Sequence, residues 1–406
     1  DYGRPPPRRD PAEALLWVPR VIFFPVHLVL EYVVRHPVGW VLKQIELTGI
    51  DQTMEPPGDQ EPGPWRWWFR PSARYDHGFA PSLGLALLAR SQPEGARLGV
   101  GVEAWGLNRL RGWAFARGRT GRHEVRLSLR GGYRADGLFH GLGWDAQRDP
   151  PIRYTRARGE AELTGTTRVW RQSALSAGLR LAVERFDASD FGPRPEAQNE
   201  AALVDVPGFA GIAPLSLFTR AIFDTRTEAE QRHGSGARLD LEGGWGVDLE
   251  RGPSASWARG AASSLLALEL RRDRTLALRG RVALAEPLGD APVPFTERIW
   301  LGGAFGRMSG FRRGHLIGAS AATLGLRYRY AVWPWLDAEL FGDVGNVFGR
   351  GFEDFHVERL RLSFGFALRG DQARDFSLRV AFGTAPFVNG TSIDSVRFAL
   401  GIATLP

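Results

Sequence analysis

The sequence predicts an all-β membrane protein, an antiparallel transmembrane β-barrel of about sixteen strands with a short helical segment before it. Three observations predict it. From about residue 79 onward, apolar and charged side chains alternate at every second position in segment after segment. These segments run to about 9 to 13 residues, against the ~5–6 usual for a strand in a soluble domain. Gly 50 and Trp 14 in 406 residues suit many twisted strands with aromatic ends.

Taken in order, residues 1–14 are rich in Pro and Arg and read as a flexible N-terminus. The chain starts at Asp1 without a charged-then-apolar leader, so a mature or trimmed form is expected. Residues 15–46 are strongly apolar without alternation and nearly reach the ~20 residues a helix needs to span a bilayer. Pro19, Pro25 and Pro37 interrupt them, and Arg20, His27, Glu31 and Arg35 give a polar side. That favours amphipathic helices at an interface or packed on protein over a spanning helix. Residues 47–78 read as a Pro/Gly-rich linker ending in Trp65, Trp67, Trp68 and Phe69, a cluster that suits a membrane–water boundary or a plug under a loop.

Residues 79–406 read as the barrel. In "RHEVRLSLRGGYR" (122–134), Val125, Leu127, Leu129 and Tyr133 alternate with Glu124, Arg126, Ser128 and Arg130. In "ARLDLEGGWGVD" (237–248), Leu239, Leu241, Trp245 and Val247 oppose Arg238, Asp240, Glu242 and Asp248. A soluble sandwich also alternates, but here the polar face carries both charge signs and short turns switch with longer loops. Lipid outside and a polar lumen inside account for both, and closure leaves no strand edge in hydrocarbon. The expected strands are 79–90, 97–106, 111–119, 122–134, 154–168, 173–186, 214–223, 236–249, 257–271, 274–285, 297–302, 319–331, 335–343, 357–369, 374–383 and 393–402. An even number puts both barrel ends on the periplasmic side.

Composition limits the chemistry. There is no cysteine, and the eight histidines lack ligand spacing, so no disulfide, metal or cofactor is expected. Net charge is +7 and every basic residue but Lys43 is arginine, yet the arginines recur along the whole chain instead of clustering, which argues against nucleic-acid binding. His123, His140, His233, His315 and His356 fall in loops or at rims, and no G-x-S-x-G motif stands near them, so the chain is not expected to be an enzyme.

Several motifs in order resemble the BamA/TamA-type outer-membrane assembly-factor (surface antigen) superfamily. "VPFTERIWLGG" (293–303) followed by "MSGFRRG" (308–314) resembles the family's eleventh strand and the sixth extracellular loop, which folds back into the lumen. "LFGDVGNVF" (340–348) is similar to the strand-thirteen motif that meets that loop tip. "FHGLGWD" (139–145) resembles a recurrent periplasmic turn, and "FDTRTEAEQRHGSGARL" (223–239) a loop between strands seven and eight.

The resemblance implies an integral bacterial outer-membrane protein that aids insertion or translocation of client proteins or lipids. The loop tip would be Met308, Ser309, Gly310, Phe311, Arg312 and Arg313, meeting Asp343, Gly345 and Asn346 of strand thirteen. Where the family has an arginine to pair with the aspartate, this chain has Ser309. Either Arg307, Arg312 or Arg313 substitutes, or the loop is held more weakly. Residues 1–78 are too short and proline-rich for an intact periplasmic POTRA module, so a member without one is expected. The family's lateral seam would join 79–90 to 393–402, with Pro81, Gly84, Val396 and Phe398 in it, proline and glycine leaving few ladder bonds. Expected partners are outer-membrane lipid, client proteins or lipids, and complex subunits recruited through residues 15–46. The alternative reading is a plugged passive channel or an anchor platform for a partner complex.

Overall fold

On strand after strand the apolar side chain stays exposed and the charged one turns inward. In β5 (His123–Phe139), Val125, Leu127 and Leu129 are 56%, 45% and 49% exposed, whereas Glu124, Arg126 and Arg130 are half-buried and Ser128 is buried. This inversion of a soluble strand needs lipid outside and an enclosed interior. The computed structural model describes residue 24 and residues 65–402, except 92–94, 107, 147–150, 194, 228–233, 272–273, 305, 334–335 and 371–375. The expected flexible segment 1–14 and helical segment 15–46 lie outside the described residues, apart from Phe24.

In chain order the elements are β1 (Trp65–Asp76), β2 (Ser82–Ser91), β3 (Arg97–Trp105), β4 (Arg109–Thr120), β5, β6 (Ile152–Trp170), β7 (Ser173–Ala188), α1 (Glu196–Leu203), β8 (Pro214–Asp224), β9 (Gly236–Asp248), β10 (Ser256–Arg271) and β11 (Arg274–Pro287). Then follow β12 (Ile299–Leu301), β13 (Leu316–Gly318), β14 (Ser320–Trp333), β15 (Leu336–Phe348), β16 (Arg361–Gly370), β17 (Phe376–Thr384) and β18 (Ile393–Ile402). Among the described residues sixteen of the strands close into one antiparallel barrel in sequence order, with β11 beside β14 and β18 beside β1, while β12 and β13 form a separate two-stranded sheet.

The count of sixteen holds because two differences cancel. The first barrel strand is β1, which falls in the segment read as linker, and the expected strand at 297–302 is instead β12, outside the barrel wall. In β1 the signal was masked because Trp68 and Ser72 share the inward face with Arg66, Arg70, Arg74 and Asp76, and Pro71 interrupts the run. One added strand reverses the direction assigned to everything up to β11. Residues 139–145 therefore lie on the rim of the longer connections, beside the 302–315 loop, and not at a periplasmic turn, while the 225–235 connection lies on the opposite rim with the short turns.

Strands β5, β6 and β7 have 17, 19 and 16 residues, more than the ~9–11 a membrane strand needs, so their ends stand proud of the bilayer. There they build a hydrophobic cap. Phe139, Ile152, Tyr154 and Phe186 pack with Leu203 of α1, Ile212, Phe295 and Ile317, covering the long-connection end of the lumen. Below the cap the interior is lined by ion pairs such as Arg130–Glu160, Arg156–Glu184 and Arg180–Glu297.

Candidate functional site: a lumen loop tied to the seam

The glycine-rich loop leaves β12 and returns through β13, with Ile299 facing Gly318 and Leu301 facing Leu316. Positive φ at Gly302 (91°) and Gly303 (98°) turns the chain inward, and Met308 (56°) adopts the left-handed region at the tip. The tip is seated against the barrel wall. Met308 and Phe311 are fully buried and Ser309 nearly so, and Met308 and Phe311 pack with Trp257, Val293, Leu301 and Val347. The Gly310 N–H donates to Ser363 Oγ at 2.8 Å, and a Cβ at Gly310 would collide with the Phe382 carbonyl. Gly310→Ala is therefore expected to displace the tip and cost ~1–3 kcal/mol by overpacking. Gly342→Ala, where the same Cβ meets open space, should be neutral. The thermal transition in detergent and protease cleavage within 302–315 check both.

Asp343 does meet the loop, through the backbone: the Met308 N–H donates to its Oδ2 at 3.3 Å. Its charged partner among the described residues is Arg327 of β14, whose Nη2 reaches Oδ1 at 3.2 Å and Oδ2 at 3.1 Å. None of Arg307, Arg312 and Arg313 takes that place. Arg307 donates to the Gly280 carbonyl, Arg312 packs against Gly78, and Arg313 lies over the Trp300 ring at 5.8 Å. The Ser309 hydroxyl is buried without a hydrogen bond among the described residues. Asn346 donates to the carbonyls of Trp144 and Arg359 at 3.3 and 2.7 Å, so it serves the 139–145 segment and not the tip. At Gly345 a Cβ would strike the Ala322 carbonyl, which makes it a close strand contact.

Sequence spacing gave no sign of the residue that joins these parts. Arg397 of β18, 2% exposed, donates through Nη1 to the carbonyls of Ser309 (3.2 Å) and Phe311 (2.8 Å), and through Nη2 to Asp76 of β1. One guanidinium thus holds the first strand, the last strand and the loop tip. Arg361 lies over the Phe311 ring at 5.6 Å and pairs with Asp394 at 3.0 Å. On the other side His315 meets Phe311 edge-on and stacks on His140, with centroids 4.1 Å apart. Burial, with His140, Arg361 and Arg312 nearby, pushes the His315 imidazole well below 6.5 and keeps it neutral.

The junction of β1 and β18 closes the barrel. Among the described residues it pairs Ala73–Asp76 with Ile402–Ala399, and the positions that would continue this register from Ser72 onward lie beyond residue 402, outside the described residues. The His77 N–H donates to the Phe398 carbonyl at 3.0 Å, so the N–H groups of Tyr75, Ala73 and, further down, position 71 face β18. Position 71 is Pro71, which has no donor to offer there. The proline at this junction is therefore Pro71, since Pro81 lies just before β2 and Gly84 within it, between Ser72 and Glu103. Phe398 touches Tyr75 across the junction (6.1 Å between rings), and Val396, 53% exposed, pairs with Phe382 of β17.

The Omp85 superfamily domain matches residues 94–404. Among solved structures, BamA from Haemophilus ducreyi lacking POTRA domains 1–3 aligns at 14% identity and TM-score 0.57, over 84% of this chain and 70% of that one. CdiB from Acinetobacter baumannii aligns at 15% and 0.53, over 84% and 60%, and CdiB from Escherichia coli at 12% and 0.57, over 86% and 66%. At these identities the likeness is one of fold. No curated protein matches the chain in sequence.

Proposed function

Because the chain belongs to the Omp85 superfamily and is an integral β-barrel of the bacterial outer membrane, we propose that it aids insertion or translocation of client proteins or lipids through the junction of β1 and β18. The observation that supports this reading is the proline in that junction. Pro71 of β1 stands where an N–H would face β18 and has none to donate, so the ladder between the first and last strands lacks that bond, which favours exchange of β18 for an incoming strand. The exposed Trp65, Trp67 and Phe69 lie on the lipid side of β1. Residues 15–46 are the proposed route to partner subunits.

In the proposed cycle Arg397 is the latch. While it holds Asp76 and the loop tip, the junction is shut and the tip is seated, and withdrawal of Arg397 itself frees both. The competing reading, a passive channel, is disfavoured by the cap of Phe139, Tyr154, Phe186 and Phe295 over one end of the lumen.

A crosslink tests the proposal. Alternation from the bonded pair at 77 and 398 makes Arg74 and Gly401 a non-bonded pair with closely spaced Cα atoms, suited to a disulfide, and the chain has no native cysteine to interfere. Arg74→Cys/Gly401→Cys is expected to abolish complementation of a depletion strain under oxidising conditions and to restore it on reduction. Full complementation with the disulfide formed would contradict the lateral route.

A further inference from the structure

Five arginines stand side by side on adjacent strands at the short-turn rim. In the register, Arg66 of β1 faces Arg90 of β2, Arg90 faces Arg97 of β3, Arg97 faces Arg117 of β4, and Arg117 faces Arg126 of β5. Neighbouring strands are ~4.8 Å apart, so this is a continuous row of positive charge. Like charges directly opposite one another destabilise a sheet, and a barrel that arranges four such pairs in succession spends stability there. Arg117 has Glu124 as a partner, but Arg90 and Arg97 form no ion pair or side-chain hydrogen bond among the described residues. Arg126 rests on the Phe115 ring at 5.1 Å instead of on a carboxylate.

The row faces the lumen. Its residues alternate with the exposed Leu98 and Leu127, and the inward side is confirmed by Gly99 and Gly101, whose missing side chains make room for Phe115 and Trp113. Arg90, Arg97, Arg117 and Arg119, with Gly95 and Gly121 in the turns below, line a concavity of about 520 Å³. Immediately above it Trp113 and Phe115 stack at 5.9 Å beside Leu88, forming an apolar step.

We propose that this row is a binding site for a phosphoryl group. Guanidinium groups in a fan on adjacent strands match an anion with several equivalent oxygens, because each can donate two N–H groups in one plane. A phosphoryl group supplies both the oxygens and up to two negative charges, more than one carboxylate gives. The site does not depend on whether the junction opens.

The test uses the full chain in phosphate-free buffer with two probes: inorganic phosphate added to the protein in neutral detergent, and phosphatidic acid doped into phosphatidylcholine nanodiscs. A probe that binds should raise the melting temperature of the native chain. Arg90→Gln/Arg97→Gln should need at least tenfold more probe for the same rise, and without probe should melt no lower than the native chain because repulsion has been removed. Arg350→Gln, on the opposite rim, should respond like the native chain. If the double variant fails to assemble, Arg97→Lys keeps the charge, removes the planar fork and should still weaken binding. A response to phosphatidic acid alone identifies a lipid-borne group, and a response to inorganic phosphate as well identifies a site open to free phosphate. No response to either probe, or equal responses in native and variant chains, would overturn the proposal.

Discussion

Arg397→Ala is expected to lower the unfolding free energy by ~3–5 kcal/mol and to release the loop tip at the same time, because it removes one partner of a buried ion pair and leaves Asp76 and two tip carbonyls without their donor. The loss of stability appears as a lower urea midpoint in lipid vesicles. Release of the tip appears as new protease cleavage within 302–315. Asp76→Ala should loosen the junction but leave the tip carbonyls bonded, and the double variant should recover part of the loss because no charge is then left alone. Tip release in Arg397→Ala with the junction unaffected, or the reverse, would separate two events that the shared guanidinium makes one.

Glu339→Gln is the second large effect. Glu339 lies on β15 with its side chain fully buried, and four arginines converge on it: Arg327 at 2.9 Å, Arg329 at 3.2 Å, and Arg369 and Arg379 at 3.5 Å. The amide keeps the shape and removes the negative charge on which these four cations converge. An expected loss of ~3–5 kcal/mol falls on the β14–β17 wall, where Arg327 also reaches Asp343 and, through it, the loop tip. The fraction that migrates as folded barrel on an unheated gel, together with the urea midpoint, measures it. Glu339→Asp keeps the charge and should retain more of the folded fraction than Glu339→Gln.

Much of this was legible in the sequence because a barrel has a strict two-residue period. Val125, Leu127 and Leu129 against Glu124, Arg126 and Arg130 give strand, lipid face and lumen face in one reading. The period failed at β1, where an inward Trp68 and the edge proline Pro71 hid the pattern, and at Ile299–Leu301, where a three-residue apolar strand inside the lumen imitates a wall strand. Asp343 was readable as a loop contact, but its partner Arg327 was not. The two belong to neighbouring strands offset by two positions, a diagonal relation fixed by register that no spacing along one segment reveals. Arg397 was hidden for the same reason, since it meets Asp76 only when the last strand closes on the first.

Amide hydrogen exchange of the chain in nanodiscs, resolved along β1, is the most direct measurement. A junction that opens predicts faster exchange at Ala73 and Tyr75, whose N–H groups face β18, than at the even-numbered amides bonded to β2 and throughout β6 and β7. Protection at Ala73 and Tyr75 equal to that of β6 and β7 would mean that the junction stays shut, and the lateral route would be contradicted.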